Sequence, residues 1–244
     1  MNQFVNEKKV MEMSPHRGWE FPKQPWRWYQ EWNRAVFLHL KADLEFLRTL
    51  VPKDFSIDLF QGQAWISIVA FTMENVHPRG IRPFSFVSDF HEVNVRTYVI
   101  QDGKPGVYFL SIEAEKIIPT LCARYLSGLP YEKSDIFRIE APNDQYIVKN
   151  PRNELQIRYK PGDPKKTKTP LDIWLTERYC LYHDLRNKRI RLEVQHPAWP
   201  LYEISLEFCS FRYRLGNQDL VDCPIDLVHY SPGVSVIAWG EEVL

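Results

Sequence analysis

Short runs of alternating apolar and polar residues, punctuated by turn-forming pairs, constrain this chain more than any other feature. Phe90 to Ile100 and Gly106 to Ala114 flank Gln101-Asp102-Gly103, and Ala64 to Met73 forms a long apolar stretch just upstream. Ile190 to Gln195, Leu201 to Arg214 and Val228 to Trp239 continue the texture through the second half. Successive side chains of an extended chain face opposite sides, and Asp-Gly accepts the positive φ of a tight turn, so this patterning predicts antiparallel hairpins. Ser56 to Phe60, ending at Gln61-Gly62, is expected to pair with the Ala64 segment, while Val36 to Leu40 and Leu155 to Tyr159 supply further strands. Helix signals are few. Leu44 to Leu50 follows Asp43 as N-cap and precedes Pro52, Ile118 to Ser127 is ended by Gly128 and Pro130, and Leu171 to Arg178 is a further candidate. Roughly ten or more strands against two or three helices predict a mainly β, β-rich α+β fold, closed or nearly closed as an antiparallel β-barrel.

The remaining segments read as connections. Residues 1–26 hold Pro15, Pro22 and Pro25 among charges and are expected to form an irregular N-terminal lead-in. The aromatic run Trp26, Trp28, Tyr29, Trp32 is expected to cap one end of the core. Asn75 to Pro83 and Lys160 to Pro170 read as loops, and His183-Asp184 occupies a loop-like position. At 244 residues the chain is expected to form a single domain, 1–244.

Charge and cysteine usage exclude several classes of function. The 31 basic and 31 acidic residues cancel, so no overall field favours nucleic acid or an anionic membrane, and Lys165, Lys166 and Lys168 read as a solvated loop. No apolar run approaches the roughly 18 residues of a spanning helix. Met1 to Trp19 lacks the apolar region of a secretory signal, and the expected location is the cytoplasm. Cys122, Cys180, Cys209 and Cys223 form no C-x-x-C pair and read as reduced core thiols. Seven histidines form no zinc-binding spacing, and phosphate-loop, dinucleotide and serine-nucleophile motifs are absent, so neither a metal nor another cofactor is expected.

One strand carries an unusual set of polar groups. Glu92, Asn94, Arg96 and Tyr98 share a face, opposite Val93, Val95, Thr97 and Val99. That face either meets solvent or lines the inside of a barrel, where Arg96 or Arg124 would hold Glu92 ionised unless burial wins. Ser111 and Glu113 share a face of the next strand. Glu113 is expected to be exposed near the strand end, the alternative being a second carboxylate at the same cavity.

Many segments together carry a family resemblance. They include Leu59-Phe60-x-Gly62-x-Ala64-Trp65, Glu92-Val-Asn94-Val-Arg96-Thr97-Tyr98, Gly106-Val-Tyr-Phe109, Glu177-Arg178-Tyr179-x-Leu181-Tyr182, His196-Pro197-x-Trp199-Pro200 and Val228-His229-Tyr230-Ser231. Over nearly its whole length the chain resembles the uncharacterised YqjF-like family of bacterial proteins. Glu92, Arg124, Gly128 and Pro130 further resemble the acetoacetate decarboxylases, which implies a cone-shaped β-barrel with an internal small-molecule cavity. In those enzymes a lysine after the Gly-x-Pro segment forms a Schiff base with the substrate. Here Tyr131 and Glu132 stand at the lysine pair, and neither forms an imine; Lys133, one residue farther on, is not expected to substitute.

The resemblance therefore implies an enzyme or binding protein for a small carbonyl compound or carboxylic acid, without Schiff-base decarboxylation. Glu92 would act as acid or base, Tyr131 would donate to a carbonyl oxygen, and Arg124 would complete the catalytic set. Asn94, Arg96 and Glu132 would bind the ligand. The alternative is a non-catalytic metabolite-binding or oligomeric scaffold protein, with Trp26, Trp28, Trp32 and Trp199 partly covering an interface in a homo-oligomer.

Overall fold

An Asp-Gly turn, short capped helices and long strands organise the chain into a sheet that curls into a ring. The structure, a computed structural model, describes residues 10–11, 16–84, 88–116, 131–140, 144–185 and 188–244. Its elements in chain order are β1 Trp28–Ala42, α1 Leu44–Leu50, β2 Ser56–Ile57, β3 Ala64–Pro78, β4 Phe90–Gln101, β5 Lys104–Ala114, β6 Tyr131–Lys133, β7 Asp135–Ile139 and β8 Asp144–Lys149. They continue with β9 Glu154–Pro164, α2 Pro170–Thr176, β10 Cys180–Leu185, β11 Lys188–Gln195, β12 Tyr202–Leu215, β13 Gln218–Val221, β14 Leu227–Ala238 and β15 Glu242–Val243.

The ring runs β11-β10-β5-β4-β3-β1-β14 and closes through Val194 opposite Ala238 and Gln195 opposite Ile237. Each of its pairs is antiparallel except β5 with β10, where Leu181 and Tyr182 run parallel to Val107 and Tyr108. This seam is tight: a Cβ at Gly106 would lie 2.3 Å from the Cys180 carbonyl oxygen, so the backbones approach closely only because residue 106 has none. From β14 the sheet continues through β12, β9, β8 and β7. That extension packs Tyr146, Val148, Leu155, Ile157, Phe211 and Tyr213 against Val36, Leu38, Ile66, Ile68, Val93 and Val95, the outer faces of β1, β3 and β4. These three strands are therefore buried on both sides, with a second core inside the ring around Phe37, Val69, Phe71, Leu192, Val194 and Val236.

Among the described residues the expected mainly β fold is present, with seven strands closed into a ring. The β4–β5 hairpin turns at Asp102 and Gly103, with φ of 53° and 72°, as its sequence requires. Helix α1 begins where expected, with the Asp43 side chain accepting from the Phe46 N–H. In α2, Thr169 and Asp172 form a reciprocal capping box and Pro170 occupies the first turn, but the helix ends at Thr176 rather than Arg178. The expected helix Ile118 to Ser127, with Cys122, Arg124, Gly128 and Pro130, lies outside the described residues.

Several boundaries differ from expectation, each for a local reason. The aromatic run enters the wall: β1 starts at Trp28, and a bulge at Arg34 (φ 54°) bends it. Strand β3 passes Met73 and reaches Pro78 because Asn75, at φ 53°, absorbs a similar irregularity, so the loop is shorter than Asn75 to Pro83. The expected hairpin of Ser56 to Phe60 with the Ala64 strand reduces to one bridge, Phe60 with Gln63, and β2 pairs with β4 instead. His183 and Asp184 lie within β10, and β9 continues to Pro164, where Lys160 to Pro170 reads as loop. Cys180 is buried in the wall, Cys209 and Cys223 are half-buried, and all three are free thiols. Among the described residues, no helix is long and apolar enough to cross a membrane.

Candidate functional site

The polar face of β4 turns inward. Glu92 lies opposite Ala114, Asn94 opposite Ile112, and after an irregularity in the register Arg96 lies opposite Phe109. Strand β6 lies parallel to β5 with Tyr131 opposite Ile112, which brings the phenol to the same side as Asn94. Gln30, Trp32 and Phe37 from β1, Val69, Phe71 and Met73 from β3, Leu181 from β10, and Trp199 complete the lining of one cavity. It leaves about 40 Å³ of room for the centres of water-sized molecules, enough for a few waters or a small organic molecule.

An apolar, aromatic box thus surrounds a short polar ledge. Trp199 stacks on Trp32 at 6.1 Å and meets Phe37 edge-on at 5.1 Å, while the Trp32 indole donates to Gln30 Oε1 at 2.8 Å. Glu92 is 3% exposed, and its carboxyl accepts from Asn94 Nδ2 at 3.1 Å and from the Tyr131 hydroxyl at 3.0 Å. Burial pushes its pKa up to about 7, against the opposing pull of those two hydrogen bonds and of Arg96. Burial therefore outweighs the ionising pull of the arginine neighbour. Desolvation also lowers the Arg96 pKa, opposed by Tyr98 and Glu92, and its guanidinium carbon sits 5.7 Å from the Phe37 ring centre. Asn94 Oδ1 and Arg96 Nε are buried with no hydrogen-bond partner.

Of the residues singled out in the sequence, Glu92, Asn94, Arg96 and Tyr131 converge on this cavity, while Arg124 lies outside the described residues. Glu132 does not join them. As the next residue of an extended strand it takes the opposite face, where it pairs with Arg152 at 3.3 Å. Lys133 is exposed. Glu113 is fully buried rather than exposed, but it shares the outer face of the wall with Val93, so the two carboxylates do not meet in one cavity. There it accepts from Ser111 and from Asn153 Nδ2 (2.5 Å), and burial pushes its pKa up to about 7 as well. Trp32 and Trp199 line the cavity. The alternation Trp28, Gln30, Trp32 carried a period-two signal for the first of them; Phe109 and Leu181 carried none beyond being apolar.

A second polar group lies inside the ring, beyond Arg96. His39 Nδ1 is 2.6 Å from Ser67 Oγ, its Nε2 is 3.0 Å from His229 Nδ1, and His229 Nε2 is 2.7 Å from Asp172 Oδ1. Ser67 Oγ also lies 2.5 Å from the Tyr98 hydroxyl, and Asp172 Oδ2 is 2.7 Å from Lys165 Nζ. All but Lys165 are buried. Among the described residues, no group of three or more histidine, cysteine or acidic side chains is placed to hold a metal ion.

Comparison with known proteins places these features in context. The model of the DUF2071 family, described as an uncharacterized conserved protein, matches residues 29–235. The chain is 33% identical over 225 residues to the uncharacterized protein YqjF of Bacillus subtilis strain 168, covering 89% of this chain and 93% of the relative. Among solved structures, the acetoacetate decarboxylase of Legionella pneumophila superposes with a TM-score of 0.61 at 13% identity, over 100% of this chain and 96% of that one. The enduracididine biosynthesis enzyme MppR, complexed with pyruvate, superposes with a TM-score of 0.58 at 11% identity, over 90% and 91% of the two chains. At such identities the structural matches establish the fold alone.

Proposed function

This chain belongs to the DUF2071 family, and we propose that its barrel cavity binds a small carbonyl compound or carboxylic acid and polarises it without forming an imine. The observation that carries this reading is the unspent hydrogen-bonding capacity of Asn94 Oδ1 and Arg96 Nε inside an aromatic box. Buried polar atoms left unpaired cost free energy: a bound carboxylate or carbonyl would supply the acceptor that Arg96 Nε lacks, and a hydroxyl, as in an enol or a protonated carboxyl, the donor that Asn94 Oδ1 lacks. Arg96 presents a planar fork to a carboxylate. Glu92, with a pKa near neutrality, exists as acid and base in comparable amounts and can take a proton from a carbon next to a carbonyl. Tyr131 donates to Glu92 in the free protein and is placed to donate to the carbonyl oxygen instead. Arg124 keeps the catalytic role that the family resemblance gives it. A protein of the same fold, MppR, has been solved with pyruvate, which makes pyruvate a reasonable first probe.

The test uses the full chain with pyruvate and related small keto acids. Pyruvate is expected to raise the melting temperature, since a ligand that binds the native state stabilises it. Arg96→Gln is expected to weaken binding about tenfold or more, the size of one lost charge-assisted hydrogen bond. Deuterium incorporation into the pyruvate methyl group, followed by NMR, reads the proton transfer; it is expected to disappear in Glu92→Gln while binding persists. Binding without exchange in the parent protein would favour a non-catalytic role, and a panel with no stabilising member would remove the cavity reading. Borohydride trapping of a keto acid on Lys133 would overturn the exclusion of an imine.

A further inference from the structure

We propose that Ser67, His39, His229 and Asp172 form a one-proton site behind the cavity wall, and that its hydrogen-bond direction is set by Asp172 and felt at Tyr98 and Arg96. The reading of direction follows from the donors around Asp172. Its Oδ2 faces Lys165 Nζ at 2.7 Å and the Thr169 N–H at 2.7 Å, and its Oδ1 faces His229 Nε2 at 2.7 Å. Burial raises the carboxyl pKa, but these hydrogen bonds outweigh it and hold it down at about 2. An ionised carboxylate only accepts. His229 must therefore donate from Nε2, which in the neutral ring leaves Nδ1 as an acceptor. His39 must then donate from Nε2 to that nitrogen, so its own Nδ1 accepts from the Ser67 hydroxyl. Ser67, having donated, accepts at 2.5 Å from the Tyr98 hydroxyl, whose single proton is shared with the more distant Leu175 carbonyl oxygen. In the neutral state every bond from Tyr98 onward points toward Asp172.

One added proton reverses most of the chain. With His229 as imidazolium, both of its nitrogens donate, so His39 must accept at Nε2 and carry its proton on Nδ1. His39 then donates to Ser67, Ser67 donates to Tyr98, and the Tyr98 hydroxyl turns fully to the Leu175 carbonyl oxygen, 3.1 Å away. The proton comes from solvent, no covalent bond to carbon changes, and the charge on the pair rises by one. Tyr98 is also within hydrogen-bonding reach of Arg96, the cation that lines the cavity, and Arg96 acts electrostatically on His39. A charged pair would repel the Arg96 guanidinium across this short path. The other charges facing the pair are Asp172 and, on its solvent side, Lys165 and Lys168; Arg178 lies over the Tyr98 ring at 5.0 Å. Burial disfavours the charged form of both rings, so the neutral direction is the resting one.

This inference deepens the cavity reading through Arg96, but its test needs no ligand, so either can fail alone. In the full chain labelled with ¹⁵N-histidine and ¹³C-tyrosine, long-range ¹H–¹⁵N spectra at pH 8 are expected to show both His39 and His229 protonated on Nε2. On acidification the two rings should titrate with a shared midpoint below the ordinary histidine value, and the Tyr98 ring-carbon shift should follow it. Asp172→Asn offers an amide N–H to His229 Nε2, so it should flip both rings to the Nδ1-protonated form at pH 8. Should that variant fail to fold, Ser67→Ala serves: both rings keep their protons on Nε2, but Tyr98 ceases to follow their titration. A His39 protonated on Nδ1 at pH 8, a pair that stays neutral until acid unfolding, or a Tyr98 signal blind to the pair in the parent protein would each overturn the proposal.

Discussion

Inside this barrel two polar groups lie side by side and differ in one respect. Around Glu92, Asn94 and Arg96 the hydrogen-bonding capacity is incomplete: Asn94 Oδ1 and Arg96 Nε have no partner, and the Glu92 carboxyl is driven toward its neutral form. Around His39, His229 and Asp172, each imidazole nitrogen and each carboxylate oxygen has a partner at 3.0 Å or less. Each group holds one carboxyl, and the burial is comparable. The difference teaches that burial alone does not mark a binding site; unpaired polar atoms facing empty space do, whereas a saturated network fixes its own geometry and excludes a guest.

The sharpest way to break this comparison is to remove one member from each group. Asp172→Ala leaves His229 Nε2 and Lys165 without their acceptor and also deletes half of the α2 capping box. Breaking a buried charged pair in this way is expected to cost on the order of 3–5 kcal/mol in urea denaturation. Asn94→Ala in the unsaturated group should cost about 1 kcal/mol, one modest hydrogen bond to Glu92. Equal losses would mean that the two groups are equally structural and that the contrast has no functional content.

Next in size is a pH effect that Glu92 gives to the unsaturated group. The folded-state pKa of Glu92 is raised from 4.5 to about 7, so between those values the folded chain holds a proton that the unfolded chain has released. The contribution of Glu92 to stability must then fall as pH rises through that window and stay reduced above it, by up to about 3 kcal/mol for this residue. Glu113, also raised to about 7, adds a second contribution of the same sign from the outer face of the wall. Glu92→Gln should remove its share, making the variant more stable than the parent at pH 8 and closer to it at pH 4. Buried histidines such as His39, His196 and His229, held below the ordinary value, act with the opposite sign in the parent, so the decisive quantity is the difference: an unfolding free energy of Glu92→Gln minus that of the parent that stays flat from about pH 4.5 to 8 would contradict the burial of Glu92.

How much of this was legible follows from the range of each interaction. The inward polar face of β4 appears in the alternation of Glu92, Asn94, Arg96 and Tyr98, and the hairpin at Asp102-Gly103 appears in its turn residues, because both are local. Which side of that strand met solvent was not legible: the extension β12-β9-β8-β7 covers the outer face, and it arrives from residues 135–215. The same holds for the position of Tyr131, fixed by a parallel pairing to β5, and for the burial of Glu113 beneath Asn153. His39 and His229 are separated by 190 residues and meet only because β1 and β14 are neighbours in the ring. A histidine and a serine at inward positions of otherwise apolar strands were visible in the chain, and such residues warrant a search for a shared partner. Glu132 shows the converse: adjacency in sequence to Tyr131 implied adjacency in space, and the pleat of β6 turned it to the other side.

The smallest expected effect tests whether Tyr131 belongs to the unsaturated group or merely borders it. Its hydroxyl donates to Glu92 Oε2 at 3.0 Å, a bond that stabilises the carboxylate and so restrains the upward shift of Glu92. Tyr131→Phe removes the donor while keeping the ring against the cavity wall. The Glu92 titration midpoint, followed through its side-chain carboxyl carbon by NMR, should therefore move above that of the parent. The stability lost through the bond itself is about 1 kcal/mol at pH 8, where the carboxylate predominates, and smaller at pH 5, where the folded protein holds the carboxyl neutral. His39 and His229 should keep their parent shifts in the same spectra, because their saturated network contains no Tyr131 contact. A change at the histidines with none at Glu92 would show that the phenol acts through the second group, and the division of the barrel interior into two clusters that meet at Arg96 would have to be redrawn.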